Sequence, residues 1–408
     1  MKLWVKIMIA LVLGVVVGLL LGSHAAALKP IGTLFLNLIN MIVVLLVLSS
    51  MTVGITSIHD PKKLGRIGTK TLLLYLGTTL AAILIGLGFA FYFQPGSGLG
   101  LGVPTTNETE KPTSLASLLL AIIPSNPIAA MAEGNFIQII VFSIFLGIAI
   151  NLSKEKGRPL LMVFESLSDV MYRLTSIVME FTPIGVFAIM TWVAGSFGIA
   201  ILVPLLKFLV IYYAACLVHV LVIFCGMIRF MAGLSPWQFF KGMGDAIMVA
   251  FTTCSSSATL PVSMHCVQKN LGISKNIANF VLPLGSTVNM NGAAIFQAMS
   301  AVFISQAYGI HLSTENILTI IVTATLSAIG AAGVPGTGFI MLSVVVSAAG
   351  LPLEGLALLA GIDRIREMGS TVLNILGDAV VAVYVAVKEG EIDIRQYNHK
   401  ELVELKLD

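Results

Sequence analysis

Eight long apolar segments punctuate this chain: Leu3–Leu21, Ile31–Ile58, Thr69–Phe93, Leu115–Leu152, Val163–Ala194, Ile199–Phe230, Ile277–Tyr308 and Glu354–Val387. One crossing of a bilayer needs ~20 apolar residues, so the longer segments predict tilt, kinks or re-entrant turns. Of the 408 residues 57% are hydrophobic and only 11% charged, against ~25% charged in a typical soluble chain. Too little polar surface remains to cover a water-soluble particle, whereas lipid accepts apolar side chains directly. The expected fold is an all-α polytopic membrane protein of about eight transmembrane helices, with Phe239–Val267 and Ile317–Ala349 left over as re-entrant hairpins.

Charge placement orients the spans. Lys62, Lys63, Arg66 and Lys70 follow the second segment, and Lys154, Lys156 and Arg158 follow the fourth. By the positive-inside rule these gaps are cytoplasmic, and the acidic, proline-containing gap Pro95–Thr113 is external. Lys2 and Lys6 put the N-terminus inside, and an even number of crossings puts the polar tail Lys388–Asp408 inside as well. The expected location is the cell (inner) membrane. A cleaved signal peptide competes for Ile7–Leu21, but the many spans downstream favour a retained helix. Asn107-Glu108-Thr109 matches a glycosylation sequon, a pattern frequent by chance. No basic run interleaves with aromatics, so nucleic acid is not an expected partner. Cys216, Cys225, Cys254 and Cys266 show neither a CxxC pair nor zinc spacing.

The two leftover segments carry backbone breakers. Phe251–Val262 reads FTTCSSSATLPV, and Ala328–Phe339 reads AIGAAGVPGTGF. Proline removes a donor and glycine weakens helical order. Broken backbone is tolerated at membrane depth only where protein buries it or it lines a watery cavity. Kinked spanning helices are the plainer alternative. Two interrupted hairpins, each followed by a long helix, fit an inverted-repeat transporter whose helix ends converge on a mid-membrane site.

A polar stripe marks the last segment. At ~100° per residue, Asp363, Glu367, Ser370, Thr371, Asn374 and Asp378 share one broad face, with Arg364 and Arg366 at its edges. Ionisable groups at membrane depth face a partner or a cavity, and a structural salt-bridge network is the competing explanation. The seventh segment breaks its apolar run with Ser286, Thr287, Asn289, Asn291 and Gly292. Asparagine oxygens and unwound carbonyls suit a hard cation such as Na⁺, whereas interhelical hydrogen bonding is the blander reading.

At these residues the chain resembles the glutamate transporter family, the dicarboxylate/amino acid:cation symporters. The resemblance covers essentially the whole chain: Pro124-Ser125-Asn126-Pro127, TPIGVFA at Thr182–Ala188, SSSATLP, NMNG, AAGVPGTG and DRIREMGSTVLNILGD, in order. It implies a homotrimer and an elevator mechanism. Residues 1–68 and 95–197 would form the scaffold, and 69–94 and 198–388 the mobile transport domain, with 389–408 a cytoplasmic tail. It also implies that Asn374 holds a substrate α-carboxylate and that Glu367, in place of an aspartate, holds the amino group. Ser256, Val334 and Gly338 would touch substrate from the hairpins, with Ser370 and Thr371 beside them. Na⁺ as coupling ion would have Gly285, Asn289, Asn374 and Asp378 at one site. Thr287 with Ala328, Ile329 and Ala331 would form a second, and Tyr75, Thr78 and Thr79 the third-span part of a further one, with Asn291 also at a cation site. No organic cofactor is implied.

Two departures shape the expected function. The family's NMDGT is NMNGA here, so Asn291 replaces a carboxylate at a cation site. Members that take acidic substrates carry an arginine where this chain has Ser370; without it, a second substrate carboxylate would lie unpaired. The expectation is therefore Na⁺-coupled symport of a small neutral amino acid. Arg366 opens the alternative of an acidic amino acid or C4-dicarboxylate if it points inward, with protons carried through Glu367 as a variant. An intramembrane hydrolase using Ser255–Ser257 and His265 is a rival from another class, and a channel finds no repeated polar rings to support it.

Overall fold

A computed structural model of the chain describes residues 3–56, 61–101, 123–198, 202–331, 333 and 335–398. The Asn107–Thr109 sequon, most of the external gap, Val334 and the last ten residues lie outside these. Every regular element among the described residues is helical.

The first apolar segment is helix α1 (Leu3–Leu21), with the bounds read from sequence. A 3-10 stretch leads to α2 (Lys29–Thr56), and α3 spans Pro61–Phe93. The fourth and fifth segments each resolve into two helices rather than one crossing. The described part of the fourth breaks at Gly134, in the left-handed region at φ 69°, between α4 (Pro127–Glu133) and α5 (Phe136–Leu152). The Asn126 and Asn135 side chains cap these helices, a role short polar side chains fill well. The fifth separates at Phe181 into α6 (Arg158–Glu180) and α7 (Thr182–Phe197), where Pro183 occupies the first turn. Apolarity alone hides such joints, because the capping residues are too few to interrupt it.

Helix α8 (Leu202–Met231) contains two π-helical stretches, His219–Phe224 and Met227–Met231. Both leftover segments are helix–break–helix hairpins. Hairpin 1 follows the short α9 (Pro236–Gly242) and pairs α10 (Gly244–Thr253) with α11 (Ser256–His265). Its turn is Cys254, left-handed at φ 54°, then extended Ser255. Hairpin 2 pairs α14 (Thr314–Gly330) with α15 (Thr337–Ala348), whose N-cap Gly336 takes φ 86°. Between the hairpins lie α12 (Lys275–Val288) and α13 (Asn291–Ala307), parted by the non-helical Asn289 and Met290. After α16 (Leu356–Ala360) comes the long α17 (Asp363–Glu389).

Packing sorts these helices into two groups. Helix α1 lies along α7, and α2 packs on α5, α6 and α7. The α1–α7 approach is close because Gly14 and Gly18 face α7; a Cβ on Gly14 would stand 2.8 Å from the Phe187 carbonyl oxygen. Small residues at this spacing let membrane helices approach at the backbone. In the second group α3 and α8 pack on α13 and α17, and both hairpins pack against the α12–α13 and α17 core.

Among the described residues, five helical stretches are long and apolar enough to cross a membrane, and their surroundings differ. In Ile9–Phe35 only 28% of the most apolar window is buried by protein, against 94% in Lys275–Ala307 and 83% in Asp363–Glu389. The last two are thus wrapped by protein, where polar groups find partners. Beyond Glu389 the chain turns back, and α18 (Ile394–Asn398) packs on α9. There buried Tyr397 donates to the Ser235 carbonyl, and burial raises its phenol above its ordinary range. Its polar neighbours Asp393, Arg395 and Asn398 stay exposed.

Candidate functional site

The polar face of α17 is buried as a strip through the centre of the second helix group. Asp363, Arg366, Glu367, Ser370, Thr371, Asn374 and Asp378 are each under one-tenth exposed. In lipid such groups would carry a heavy desolvation cost, so their partners matter.

Around the middle of the strip is a small cavity of about 20 Å³, walled by hairpin 1 at Cys254 and Ser256, by Met290 and Ala293, and by hairpin 2 at Gly333 and Gly338. The two hairpin tips meet over it. The Gly333 carbonyl accepts from the Ser255 hydroxyl at 2.7 Å and from the Ser257 backbone N–H at 3.0 Å. Ser255 also accepts from the Ala258 N–H, capping α11. The serine run that reads as a breaker therefore supplies both the cap and the tip contact.

Glu367 reaches hairpin 2. One carboxylate oxygen accepts from the Gly336 backbone N–H at 2.5 Å, and the other pairs with Arg364 at 3.1 Å. The Gly336 N–H stands at the start of α15, where a helix presents unpaired donors to an anion. Asn374 fixes the broken helix, its side-chain oxygen accepting from the Gly292 N–H at 2.8 Å and its amide facing the Met290 sulfur at 3.2 Å. Helix α13 comes so near that a Cβ on Gly292 would lie 2.5 Å from the Cα and carbonyl of Ser370.

Arg366 points inward. It is 1% exposed, lines the cavity, pairs with Asp363, and stacks at 3.8 Å over the Phe296 ring. The condition for an acidic substrate is thereby met, and the neutral-substrate expectation drawn from Ser370 loses its premise. Ser256, Gly338, Glu367, Ser370, Thr371 and Asn374 come together around the same cavity; Val334 is outside the described residues. The residues unassigned by sequence are Phe296, Asp363 as partner of Arg366, and the α8 pair Tyr212 and Tyr213. Those tyrosines donate to the Gly292 and Ile365 carbonyls and tie α8 to the site. Two adjacent tyrosines in an apolar span were the available signal.

Deeper along α17 lies an oxygen-rich cluster. The Asn289 amide donates to Asp378 at 2.9 Å, and Thr78 donates to the Asn289 side-chain oxygen at 3.3 Å. Thr79 donates to the Asn291 side-chain oxygen at 3.1 Å, while Tyr75 donates to the Val281 carbonyl at 2.8 Å. Gly285 makes room, since a Cβ there would sit 2.5 Å from the Tyr75 hydroxyl. The Asn291 amide nitrogen has no partner among the described residues. Tyr75, Thr78, Thr79, Gly285, Asn289, Asn291 and Asp378 thus converge, and Asp378 supplies a buried carboxylate. The other set is less gathered. Thr287 donates to its own helix at the Leu284 carbonyl, while Ala328 and Ile329 end α14, which packs on α12, and Ala331 lines the cavity.

The hydrolase alternative lacks its geometry. His265 stands nine residues from Ser256 along one helix, a rise of about 13 Å, and Ser255 is engaged with Gly333. Nucleophile and base need hydrogen-bond reach.

Comparison with known proteins agrees with a transport role. The sodium:dicarboxylate symporter family matches residues 3–388. A proton/sodium-glutamate symport protein of Bacillus caldotenax is 36% identical, covering 97% of this chain and 95% of its own. The proton/glutamate-aspartate symporter of Escherichia coli strain K12 is 35% identical, with 95% and 93% covered. A C4-dicarboxylate transport protein of Anaeromyxobacter sp. strain K is 35% identical, with 96% and 91% covered. The match runs through both hairpins, the broken α12–α13 pair and α17, and it is to membrane symporters rather than to an enzyme family: the chain belongs to the sodium:dicarboxylate symporter family.

Proposed function

We propose that this protein is a cation-coupled symporter of a substrate bearing two carboxylates, an acidic amino acid first and a C4-dicarboxylate second. The observation that carries the reading is the Arg366 guanidinium, buried in the α17 cavity with its plane held by Phe296 and one edge by Asp363. A buried cation presented to a cavity favours an anionic group there, and bidentate pairing makes the preference strong. This replaces the neutral substrate expected from Ser370, and the roles of the relatives, glutamate, aspartate and C4-dicarboxylate transport, agree.

In this reading Arg366 takes one substrate carboxylate and Asn374 the other, with Ser256, Gly338, Ser370 and Thr371 around them. Glu367 accepts the ammonium of an amino acid, which favours that class over a simple dicarboxylate. The arrangement that favours the second class is Arg364 on Glu367, which neutralises the one acid a dianion would meet. Na⁺ is the coupling ion read from the Asp378 cluster, with protons through Glu367 as the variant; Asn291 brings no charge, so Asp378 carries the site's negative charge alone.

The movement proposed is an elevator within a homotrimer. Residues 1–68 and 95–197 form the scaffold, and 69–94 and 198–388 the transport domain, with hairpins 1 and 2 re-entrant within about eight crossings and both termini cytoplasmic. The two packing groups support this division, and the tip-to-tip closure supports hairpin 2 as the gate. Uptake into proteoliposomes tests the reading: glutamate, aspartate, succinate and serine are offered under a Na⁺ gradient, a proton gradient, or neither. Accumulation of an acidic substrate under a cation gradient supports it. Serine uptake with no acidic uptake would overturn it.

A further inference from the structure

Away from the α17 cavity, a second one opens where the start of α2 meets α7 and the segment leading into α17. Its floor is apolar and buried: Gly32, Ile189 and Ala357. The floor is tight, since a Cβ on Gly32 would lie 2.7 Å from Ile189 Cγ1. At the mouth two opposite charges, Lys29 and Glu354, are exposed. Among the described residues neither is within ion-pair distance of the other. The Lys29 ammonium sits 4.9 Å from the centre of the Trp192 ring.

A second, open trough shares Lys29 and runs over Pro30, Leu34 and Asn37 along α2. Leu34 there is 60% exposed, and Ile31 beside it 41%. Lys29 stands where the 3-10 stretch after α1 gives way to α2, and a lysine beside a tryptophan at such a junction suits headgroup level. Opposite charges held apart in one cup match a zwitterion, and the adjoining apolar trough matches an acyl chain.

We propose that this cavity binds a phospholipid whose headgroup carries a primary ammonium, as in phosphatidylethanolamine. The phosphate pairs with Lys29 and the ammonium donates to Glu354, while one acyl chain lies in the α2 trough. A quaternary choline headgroup has no N–H to donate, and an anionic glycerol headgroup meets Glu354 with no compensating cation. Because the cup joins α2 and α7 to the segment after hairpin 2, an occupied site ties the two helix groups together. The inference rests on the membrane setting and not on the substrate assignment.

The test reads the environment of Trp192. The chain has three tryptophans, Trp4, Trp192 and Trp237, so full-length protein carrying W4F and W237F reports from Trp192 alone. Lipids with brominated acyl chains, bearing ethanolamine, choline or glycerol headgroups, are titrated into detergent-solubilised protein. Phosphatidylethanolamine should quench Trp192 at a several-fold lower mole fraction than the other two. K29Q and E354Q should each abolish that preference, and the charge swap K29E/E354K should restore it in part. Equal quenching by all three lipids would overturn the proposal, as would a preference that survives K29Q and E354Q. Soluble phosphoethanolamine blocking the site with no quenching by any lipid would also refute it, as would cross-linking of the K29C variant to a second copy of the chain, since either leaves no lipid in the trough. Monodisperse elution of each variant certifies folding.

Discussion

A guanidinium 1% exposed inside a membrane protein must be neutralised, and Asp363 does that for Arg366. The two residues are three apart on α17, so the helix itself presents the pair, and Phe296 fixes the guanidinium plane. Sequence placed Arg366 at an edge of the polar stripe, where ~100° per residue leaves its direction open. The ring that decides it comes from another helix, and no periodicity within α17 reports that. Asn374 and Asp378 were legible because the stripe runs past the arginines and a buried acid needs partners. For Asn374→Ala we expect loss of measurable substrate binding by calorimetry, because it removes both the proposed substrate contact and the acceptor for the Gly292 N–H. For Asp378→Asn the expected change is a tenfold or greater weakening of Na⁺-dependent thermal stabilisation, with folding retained. Unaltered Na⁺ dependence would remove Asp378 from the cation site. Gly292→Ala sets a Cβ against Ser370, and overpacking of this kind costs about 1–3 kcal/mol. A lowered Tm in Na⁺-free buffer checks it.

Between elements, the decisive contacts are those of the hairpin tips. Their breaks were legible, since the Ser255–Ser257 run and the glycines around Pro335 disfavour unbroken helix. Their meeting was not, because the Ser255–Gly333 bond joins positions 78 residues apart. Ser255→Ala removes the α11 cap, which opening leaves intact, and the inter-tip bond, whose net loss of about 1 kcal/mol gives a roughly fivefold shift in an opening equilibrium. Cys254 beside it is 2% exposed and unbridged. With the other three cysteines replaced, maleimide labelling of Cys254 should quicken severalfold in Ser255→Ala and slow on adding substrate. Equal rates in both proteins would show that the tips do not gate the cavity. Other joints carry local signals that a count of apolar residues passes over, Glu133-Gly134-Asn135 and Glu180-Phe181-Thr182-Pro183, whereas the π-helical stretches of α8 follow no compositional cue.

At the scale of the molecule, the charge deficit and recurrent apolar segments were enough to give an all-helical membrane protein. The sorting of helices by surroundings follows composition only in part: α1, the more apolar, faces outward, while α13, which carries Asn291, Gln297 and Ser300, is enclosed. That enclosure lets α17 keep Arg366 and Glu367 at one cavity, each paired with a neighbour on the same helix. The central claim is that Arg366 receives a carboxylate of the transported molecule, and equilibrium binding to the purified protein tests it directly. Glutamate, aspartate, succinate and serine are titrated into the parent and into Asp363→Asn/Arg366→Gln, which removes both charges and leaves no buried acid unpaired. A hydrogen bond to a charged group contributes about 1.5–3 kcal/mol, so the acidic ligand should bind roughly 10- to 100-fold more weakly. Serine, which has no second carboxylate, should bind the two proteins alike. Undiminished affinity for the acidic ligand in the folded double variant would contradict the account.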